Sequence, residues 1–480
     1  MAEYGRFDWR TAVLVVFVAV SVVVGMIIWG DESDPTPGPT NGRSTPAVPA
    51  MSTLVFATWG SPDEIDAYRR IVHEYNTTSQ VVDVRVAAYP DPVSMMADID
   101  AGKIKPDLYL IRHEDLASTM EEHRNQPLLD LLDARAVHVS DSFARDGINA
   151  FSAADDLQCM PYTASPMVIY YNTDLIDFDR MDKRGLPTPD EEHDSFSLDE
   201  FAAAAQYASR PRTHAKGVQI APTLTGLAPF VYSGAGGIFD DDAHPTSLDL
   251  GSATDPLRDT LEVLRDPAIT LSNRQLEQRT PLEWFEAGKL GMIAGYRDLT
   301  PVLRGTTGLH FDVLPMPSLG SEATVGHLTG LCIGKGPADR VAQAADFLVD
   351  LISDDSVNAV TATGSIVPTN LDVAFHGFLE PDQQPAHAQV FISSQRSIVA
   401  PPLGVDWQKL QARVDPQVEA LFTQPVLDDL GTMLDDIDEA SRAVLDPDYE
   451  PSDAPSGTPS GSASGPGRSE ESGSEERPEG

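Results

Sequence analysis

Apolar and polar positions alternate along the first third of the chain in blocks that predict strands and helices in turn. Residues 53–59 and 82–88 have the apolar content of strands, and residues 63–76 between them carry apolar side chains at helical spacing. A short helix at 95–101 and a buried strand at 105–111 follow. This β-α-β-α-β order predicts a mainly parallel sheet with helices on both faces.

The stretch from residue 161 to 174, PYTASPMVIYYNTD, organises the remaining pattern. Its apolar run, 167–171, is rich in β-branched and aromatic residues, which favours a strand with both faces buried. The polar residues that follow it are typical of a turn. We interpret this stretch as the place where the chain leaves one packing unit and enters a second.

Further apolar blocks predict that the second unit is also built from strands and helices. We expect a helix within 272–288, strands at 290–295 and 326–333, and an amphipathic helix at 338–352. A later helix is predicted to begin at Pro416, because proline suits a first helical turn, where no backbone donor is needed.

Length and charge narrow the class of protein. A chain of 480 residues with 41% hydrophobic content is folded but too long for one core, so at least two packing units are expected. The net charge of −41 argues against nucleic acid and anionic membrane surfaces as partners. Solubility is the simplest reason for such a charge.

The N-terminal residues predict a compartment. Residues 12–29 are free of charged side chains over roughly the length that spans a bilayer, with arginines before them and acids after them. We therefore expect residues 1–30 to form a cytoplasmic stub and an uncleaved signal-anchor helix, with the body outside the cell. Cleavage is the alternative. Residues 31–52 read as a Pro-rich linker, and residues 448–480 as a disordered acidic Ser/Gly/Pro tail.

Catalytic and metal-binding motifs are missing from the sequence. There is no G-x-S-x-G or S-x-x-K motif, and the 11 histidines show no H-E-x-x-H or H-x₃-H spacing. The glycines at 234–237 lack the Lys-Ser pair of a phosphate loop. The sequence therefore predicts a protein that is not an enzyme, with no cofactor and no metal.

Aromatic residues near strand ends and glycine-rich turns are the strongest functional signal. Flat rings stack on the apolar C–H face of a sugar, and a few polar groups can then bind its hydroxyls. The candidate rings are Trp59, Tyr162, Tyr232, Trp284 and Tyr296. The candidate polar partners are Arg112, Arg297 and His327, although a structural role for His327 is equally open.

Several of these segments together resemble the bacterial extracellular solute-binding proteins of ABC importers, of the maltose-binding type (family 1). They include LVFATWGS, MPYTASPMVIYYNTDLI, EWFEAGKLGMIAGYRD and GHLTGLCIGKG, and they run in the expected order from residue 54 to about 370. The resemblance implies an α/β, two-lobed periplasmic-binding-protein-like fold (class II type) with hinge crossings. Lobe 1 would comprise residues 53–163 plus 329–366, and lobe 2 residues 164–328 plus 367–447.

The resemblance also implies a function and a site. A carbohydrate, either a mono- or an oligosaccharide, would be held between the lobes by hinge closure, and ABC permease subunits would receive it from a monomer. The implied ligand-binding residues are Trp59, Ser61, Arg112, His113, Tyr162, Tyr232, Tyr296, Arg297 and His327. Cys159 and Cys332 would both lie beside crossings, where a disulfide and two free buried thiols are equally open.

One departure from the family pattern leaves an alternative open. The apolar segment at 12–29 stands where such proteins commonly carry a lipid-anchored cysteine. A membrane-tethered sensor, or a binder of another small solute such as a polyamine with no transport role of its own, is therefore the second hypothesis.

Overall fold

The computed structural model describes residues 51–380, 382–424 and 429–450. The predicted membrane span at 12–29, nearly all of the linker and the tail beyond residue 450 lie outside these residues. Within them, no helix combines the length and the apolar character that a bilayer crossing requires.

Strands occur in two sheets and one small hairpin. They are β1 (Ser52–Trp59), β2 (Val82–Tyr89), β3 (Leu108–Arg112), β4 (Asn125–Gln126), β5 (Ser152–Ala153), β6 (Asp156–Leu157), β7 (Met160–Pro166), β8 (Val168–Asn172), β9 (Lys216–Gln219), β10 (Leu290–Gly295), β11 (Phe311–Leu314) and β12 (Gly326–Gly334).

Helices connect and cover the strands. They are α1 (Pro62–Thr78), α2 (Pro92–Asp100), α3 (Leu116–Glu121), α4 (Leu129–Asp133), α5 (Val139–Ser142), α6 (Arg145–Ala150), α7 (Phe178–Asp182), α8 (Leu198–Ala208), α9 (Leu224–Ala235), α10 (Thr254–Leu264), α11 (Asn273–Leu276), α12 (Pro281–Glu286), α13 (Leu299–Gly305), α14 (Ala338–Leu351), α15 (Asp354–Thr361), α16 (Gln389–Ser394), α17 (Trp407–Thr423) and α18 (Leu430–Leu445).

The first sheet has six strands in the order β2-β1-β3-β12-β4, with β7 also paired to β12. The pairs β1–β2 and β1–β3 are parallel, as the β-α-β-α-β pattern predicts. The prediction of a mainly parallel sheet is nevertheless wrong for the other half, because β12 runs antiparallel to β3, β4 and β7. A strand that enters from more than 200 residues away leaves no local signal of its direction.

The second sheet has the order β11-β8-β10-β9. Strand β8 is antiparallel to both of its neighbours, and β10 is parallel to β9. Every residue of β8 is buried, in agreement with its continuous apolar sequence. Strand β7 ends at Pro166 and β8 begins at Val168, so the chain passes from one sheet to the other at Met167, within the stretch that the sequence singles out.

Each sheet has its own hydrophobic core. One cluster combines residues from 54–164 with residues from 328–373, around the first sheet. Two further clusters surround the second sheet and combine residues from 167–325 with residues from 367–437. The molecule is therefore α/β and two-lobed, with each lobe assembled from separate parts of the chain.

Local signals place most helix ends, with two differences. Ser61 and Ser197 each cap a helix by accepting from the backbone N–H of a glutamate three residues on, which forms a capping box. The predicted helix within 272–288 is two short helices, α11 and α12. Pro416 does not begin a helix, because α17 starts nine residues earlier, at Trp407, and contains this proline.

Candidate functional site

A cavity of about 420 Å³ lies between the first sheet and the residues that follow β10. Its walls come from the ends of β1 and β2, the first turns of α1, β7, β12 and the segment after β10. A second cavity of about 210 Å³ reaches α9 and α17. Tyr296 and His327 line both cavities, and we call the two adjacent cavities together the cleft.

Trp59 and Ser61 stand at one end of the cleft because β1 ends there. Gly60 between them has φ of 149°, which glycine adopts without strain. Ser61 then starts α1, and its backbone N–H donates to Oε2 of Glu64 at 2.8 Å. The indole Nε1 of Trp59 is buried and has no hydrogen-bond partner among the described residues. Other parts of Trp59 line the larger cavity.

Tyr296 and His327 form the middle of the cleft. Their ring centroids are 3.6 Å apart, and their planes differ by 23°. Burial raises the pKa of the Tyr296 hydroxyl well above its usual range, with Glu114 and Asp298 adding to the effect. His327 is exposed towards the cleft, and the protein atoms around it still desolvate the ring and lower its pKa, against the opposing influence of Asp298. The pair therefore presents two uncharged aromatic surfaces at neutral pH.

Acidic side chains outnumber basic ones along the cleft. Glu64, Asp91 and Asp298 line the larger cavity and Glu114 the smaller one. Burial raises the pKa of Glu64 and of Glu114. The guanidinium of Arg112 donates to both oxygens of Asp115, at 2.9 and 3.0 Å, so its charge is already matched.

Six of the nine predicted ligand-binding residues line the cleft. Trp59 and Ser61 line the larger cavity, Arg112 lines the smaller one, and Tyr296 and His327 line both. Tyr232 is the sixth, on α9 in the wall of the smaller cavity. The structure thus brings together side chains that are up to 268 positions apart (327 − 59).

The other three predicted residues, His113, Tyr162 and Arg297, point into the cores. His113 packs edge-on against Phe151, and burial lowers its pKa to about 4. Tyr162 is 2% exposed and packs against Tyr68, which lines the larger cavity in its place.

Arg297 is 1% exposed, and its guanidinium lies over the rings of Phe378 and Phe391 at 4.4 and 5.1 Å. Its Nε donates to the carbonyl of Gly364 at 3.0 Å. The candidate ring Trp284 is also elsewhere, since its Nε1 donates to the carbonyl of Gln275 on α11. Position at a strand end is therefore a poor guide to side-chain direction.

Sequence reasoning missed Trp407, which lines the smaller cavity. Its Nε1 donates to Oγ1 of Thr225 at 3.0 Å, and this contact fixes the ring against α9. The signal was present: Leu410, Val414, Val418 and Leu421 recur at helical spacing ahead of and through Pro416. Extending that periodicity backwards would have placed Trp407 in the first turn of α17.

Three segments of the chain run side by side next to the cleft: strand β7, strand β12 and the residues around Val367. Strands β7 and β12 pair along their length, and Oγ1 of Thr163 lies 2.7 Å from Oγ1 of Thr329. The third passage joins them where the N–H of Ala164 donates to the carbonyl of Val367 at 2.9 Å. Cys159 and Cys332, which flank these passages, form a disulfide in the structure.

Two α/β lobes with an enclosed cleft and several adjacent connections define the class of two-lobed binding proteins. The sequence model for the family described as "Bacterial extracellular solute-binding protein" matches residues 70–387. The chain therefore belongs to this family. The family is defined by binding rather than by a reaction, in agreement with the prediction that the protein is not an enzyme.

Solved structures agree on the fold. An ABC substrate-binding protein from Listeria monocytogenes, in complex with cycloalternan, gives a TM-score of 0.67 at 17% identity, covering 82% of this chain and 99% of that one. The GacH receptor of Streptomyces glaucescens, solved unliganded and with acarbose, gives 0.64 at 16%, covering 84% and 100%. A cyclic alpha-maltosyl-1,6-maltose binding protein from Arthrobacter globiformis gives 0.66 at 16%, covering 82% and 99%. A search of curated protein sequences found no significant match.

Proposed function

We propose that this protein is the extracytoplasmic solute-binding component of an ABC importer and that it binds a mono- or oligosaccharide in the cleft. The observation that carries this proposal is the stacked pair Tyr296–His327 in a cavity that Trp59 also lines. Apolar ring faces suit the C–H faces of a sugar. Proteins of similar structure that were solved with cycloalternan and with acarbose support the same ligand class.

The shape of the cleft supports the same ligand class. Its larger cavity, of about 420 Å³, lies within the range of small-molecule sites. Its wall combines aromatic residues with short polar ones such as Thr163, Ser165 and Thr329. Hydroxyl groups that both donate and accept match the hydroxyls of a sugar more readily than they match an apolar ligand.

Closure of two lobes is the proposed binding mechanism. We assign residues 53–163 plus 329–366 to lobe 1, and residues 164–328 plus 367–447 to lobe 2. The contacts Thr163–Thr329 and Ala164–Val367 support boundaries in this region, because three segments of the chain meet there, although β7 stays in the first sheet as far as Pro166. A few residues at such passages can absorb the backbone rotation that brings two lobes together.

Membrane attachment completes the proposal. The uncharged residues 12–29 would anchor the protein in the cell membrane, and the Pro-rich residues that follow would hold the body on the extracellular side. ABC permease subunits would then receive the solute from a tethered monomer.

A cationic solute such as a polyamine is the second candidate, and the acidic lining favours it. Glu64, Asp91, Glu114 and Asp298 face the cleft, whereas Arg112 is matched by Asp115. Carboxylates and aromatic faces together attract ammonium groups. Two of these acids also stabilise helix starts. Glu64 completes the capping box of α1, and Asp91 accepts a hydrogen bond from the backbone N–H of Ser94 at 2.7 Å.

A thermal-shift screen of the full-length chain in mild detergent tests the two candidates together. We expect a concentration-dependent rise in melting temperature with one class of neutral sugar, because binding to the folded state alone stabilises it. Amino acids serve as the control class. A rise with spermidine and none with any sugar would replace the first proposal by the second. No rise with either class would contradict both.

A further inference from the structure

A cluster of side chains outside the cleft joins three distant segments of the chain. His193 lies in the loop before α8, Asp312 lies on the edge strand β11, and His387 lies just before α16. One nitrogen or oxygen from each of the three side chains lies within 4.8 Å of the other two. None of the three residues lines the cleft.

Hydrogen bonds fix the orientation of both imidazoles. Nδ1 of His193 lies 2.9 Å from the carbonyl oxygen of Val313, and Nδ1 of His387 lies 2.6 Å from Oδ2 of Asp312. Because a carbonyl only accepts, a neutral His193 ring carries its proton on Nδ1 and keeps its lone pair on Nε2, as metal-binding histidines usually do. The hydrogen bond between Nδ1 of His387 and Oδ2 of Asp312 contains one proton, which a cation bound by both atoms would replace.

The distances within the cluster suit a small cation. The two rings are stacked, with centroids 3.8 Å apart and planes 30° apart. A cation equidistant from three atoms that are 4.8 Å apart would lie about 2.8 Å from each, and zinc binds nitrogen and oxygen at about 2.0–2.2 Å. Inward shifts of less than about 1 Å by each side chain would therefore complete the contacts.

Two of the three side chains are held inside the protein. His193 is 6% exposed and Asp312 is 5% exposed. Oδ1 of Asp312 accepts from the backbone N–H of Val313 and of His387, both at 2.9 Å, so the carboxylate is held rigidly.

The loop that carries His193 adds to the case. His193 is the buried residue in a run of exposed acids that includes Asp190, Glu192 and Asp194, and such a run attracts cations. Its backbone has φ of 58°, in the left-handed region that a non-glycine residue seldom adopts without a local reason.

We propose that His193, Asp312 and His387 form a binding site for a zinc-class divalent cation. Two imidazoles and one carboxylate are ligands that zinc accepts, with water filling the remaining position. The cation would clamp the acidic loop and the segment before α16 onto the edge strand β11. The site is independent of the cleft, and it would contribute stability rather than solute recognition.

Zinc titration of the full-length chain in mild detergent, stripped of metals by a chelator, tests the proposal. We expect one saturable site by calorimetry and a rise in melting temperature at saturation. His193→Gln and His387→Gln should each abolish the saturable heat. Asp312→Asn should abolish it as well, because zinc binds the carboxylate of aspartate and not the neutral amide of asparagine.

His310→Gln is the matched control, because Nδ1 of His310 lies 3.0 Å from Asp174 in an exposed His–Asp pair outside the cluster. This variant should bind zinc as the unaltered chain does. Equal affinity in the His193 and His387 variants would overturn the proposal.

A measurement on the unaltered chain guards against variants that fail to fold. X-ray absorption of the zinc-loaded protein should show the multiple scattering of two imidazoles. A spectrum without imidazole scattering, or the absence of saturable zinc binding, would equally overturn the assignment.

Discussion

Tyr296 is held in the cleft by two contacts. The His327 ring stacks on one face of it, and the Tyr170 hydroxyl donates to its backbone carbonyl at 2.8 Å. A ring that is already fixed loses little conformational freedom when a ligand stacks on it. Its neighbour Arg297 points the opposite way and is buried in the core. We therefore expect Tyr296 to contribute to solute binding and Arg297 to contribute to the stability of the fold.

Replacing the Tyr296 ring should weaken solute binding. We expect Tyr296→Ala to lower the affinity for the best ligand at least about tenfold, or ~1.4 kcal/mol, because a preorganised stacking surface is lost. Isothermal titration calorimetry measures this change in affinity. Trp284→Ala is the matched control, since it removes an aromatic ring outside the cleft and should leave affinity unchanged. Equal effects of both variants would mean that the cleft is not the solute site.

His113 should make stability depend on pH. Its folded-state pKa of about 4 lies below the unfolded value of about 6.5, so the folded protein binds fewer protons between these values. The contribution of His113 to the free energy of unfolding is therefore fully present above pH 6.5 and is lost as the pH falls towards 4. We expect the free energy of unfolding to fall by about 2 kcal/mol from this group between pH 7 and pH 5.

Urea unfolding at both pH values tests this expectation. His113→Gln should reduce the difference between pH 7 and pH 5 by that amount, whereas His73→Gln, on the exposed face of α1, should leave it unchanged. A wild-type difference that persists in full in the His113 variant would contradict the assignment.

At the scale of elements, the second lobe depends on segments that arrive late in the chain. The residues around Phe378 and Phe391 pack beneath β10, and Arg297 joins them to the segment at Gly364. Burial lowers the pKa of this arginine to about 10, so the guanidinium stays charged at neutral pH. Its role is therefore to hold three segments together.

Arg297→Lys should destabilise the fold without altering recognition. A lysine lacks the planar group that lies over both rings, so we expect a loss of about 1–3 kcal/mol in the free energy of unfolding. Chemical denaturation measures this loss, and calorimetry on the folded variant should give unchanged solute affinity. Arg69→Lys, in an exposed pair with Asp66, is the control and should change neither quantity. A variant as stable as wild type but unable to bind would place Arg297 in the solute site after all.

At the scale of the whole molecule, the proposed function requires the two lobes to move as bodies. The disulfide joins Cys159, just before β7, to Cys332 on β12, so it stiffens the first sheet without joining the two sheets. Adjacent chain passages between two lobes are the places where hinge closure occurs.

Solute binding should therefore make the molecule more compact. We expect the radius of gyration from small-angle X-ray scattering of the full-length chain to decrease when the solute found by thermal shift is added at saturation. A solute that gives no thermal shift is the control and should leave the scattering unchanged. An unchanged radius at proven saturation would argue for binding without closure.

The local elements and their chemistry can be read from the amino-acid sequence alone. Capping boxes at Ser61 and Ser197, the apolar run of β8 and the first three parallel strands follow from contacts between neighbouring residues, which sequence patterns record. The sequence also indicated that the ends of β1 and β10 would carry ring side chains at one crevice, because strand ends can be read from composition.

Only the tertiary structure decided which way side chains point and which distant residues meet. Tyr296 faces the cleft and Arg297 the core, because packing from residues 364–391 selects one side of the chain. The cluster of His193 and His387, 194 positions apart, was invisible to motif spacing for the same reason. Orientation and long-range contact depend on groups that sequence neighbours do not specify, so the fold alone supplies them.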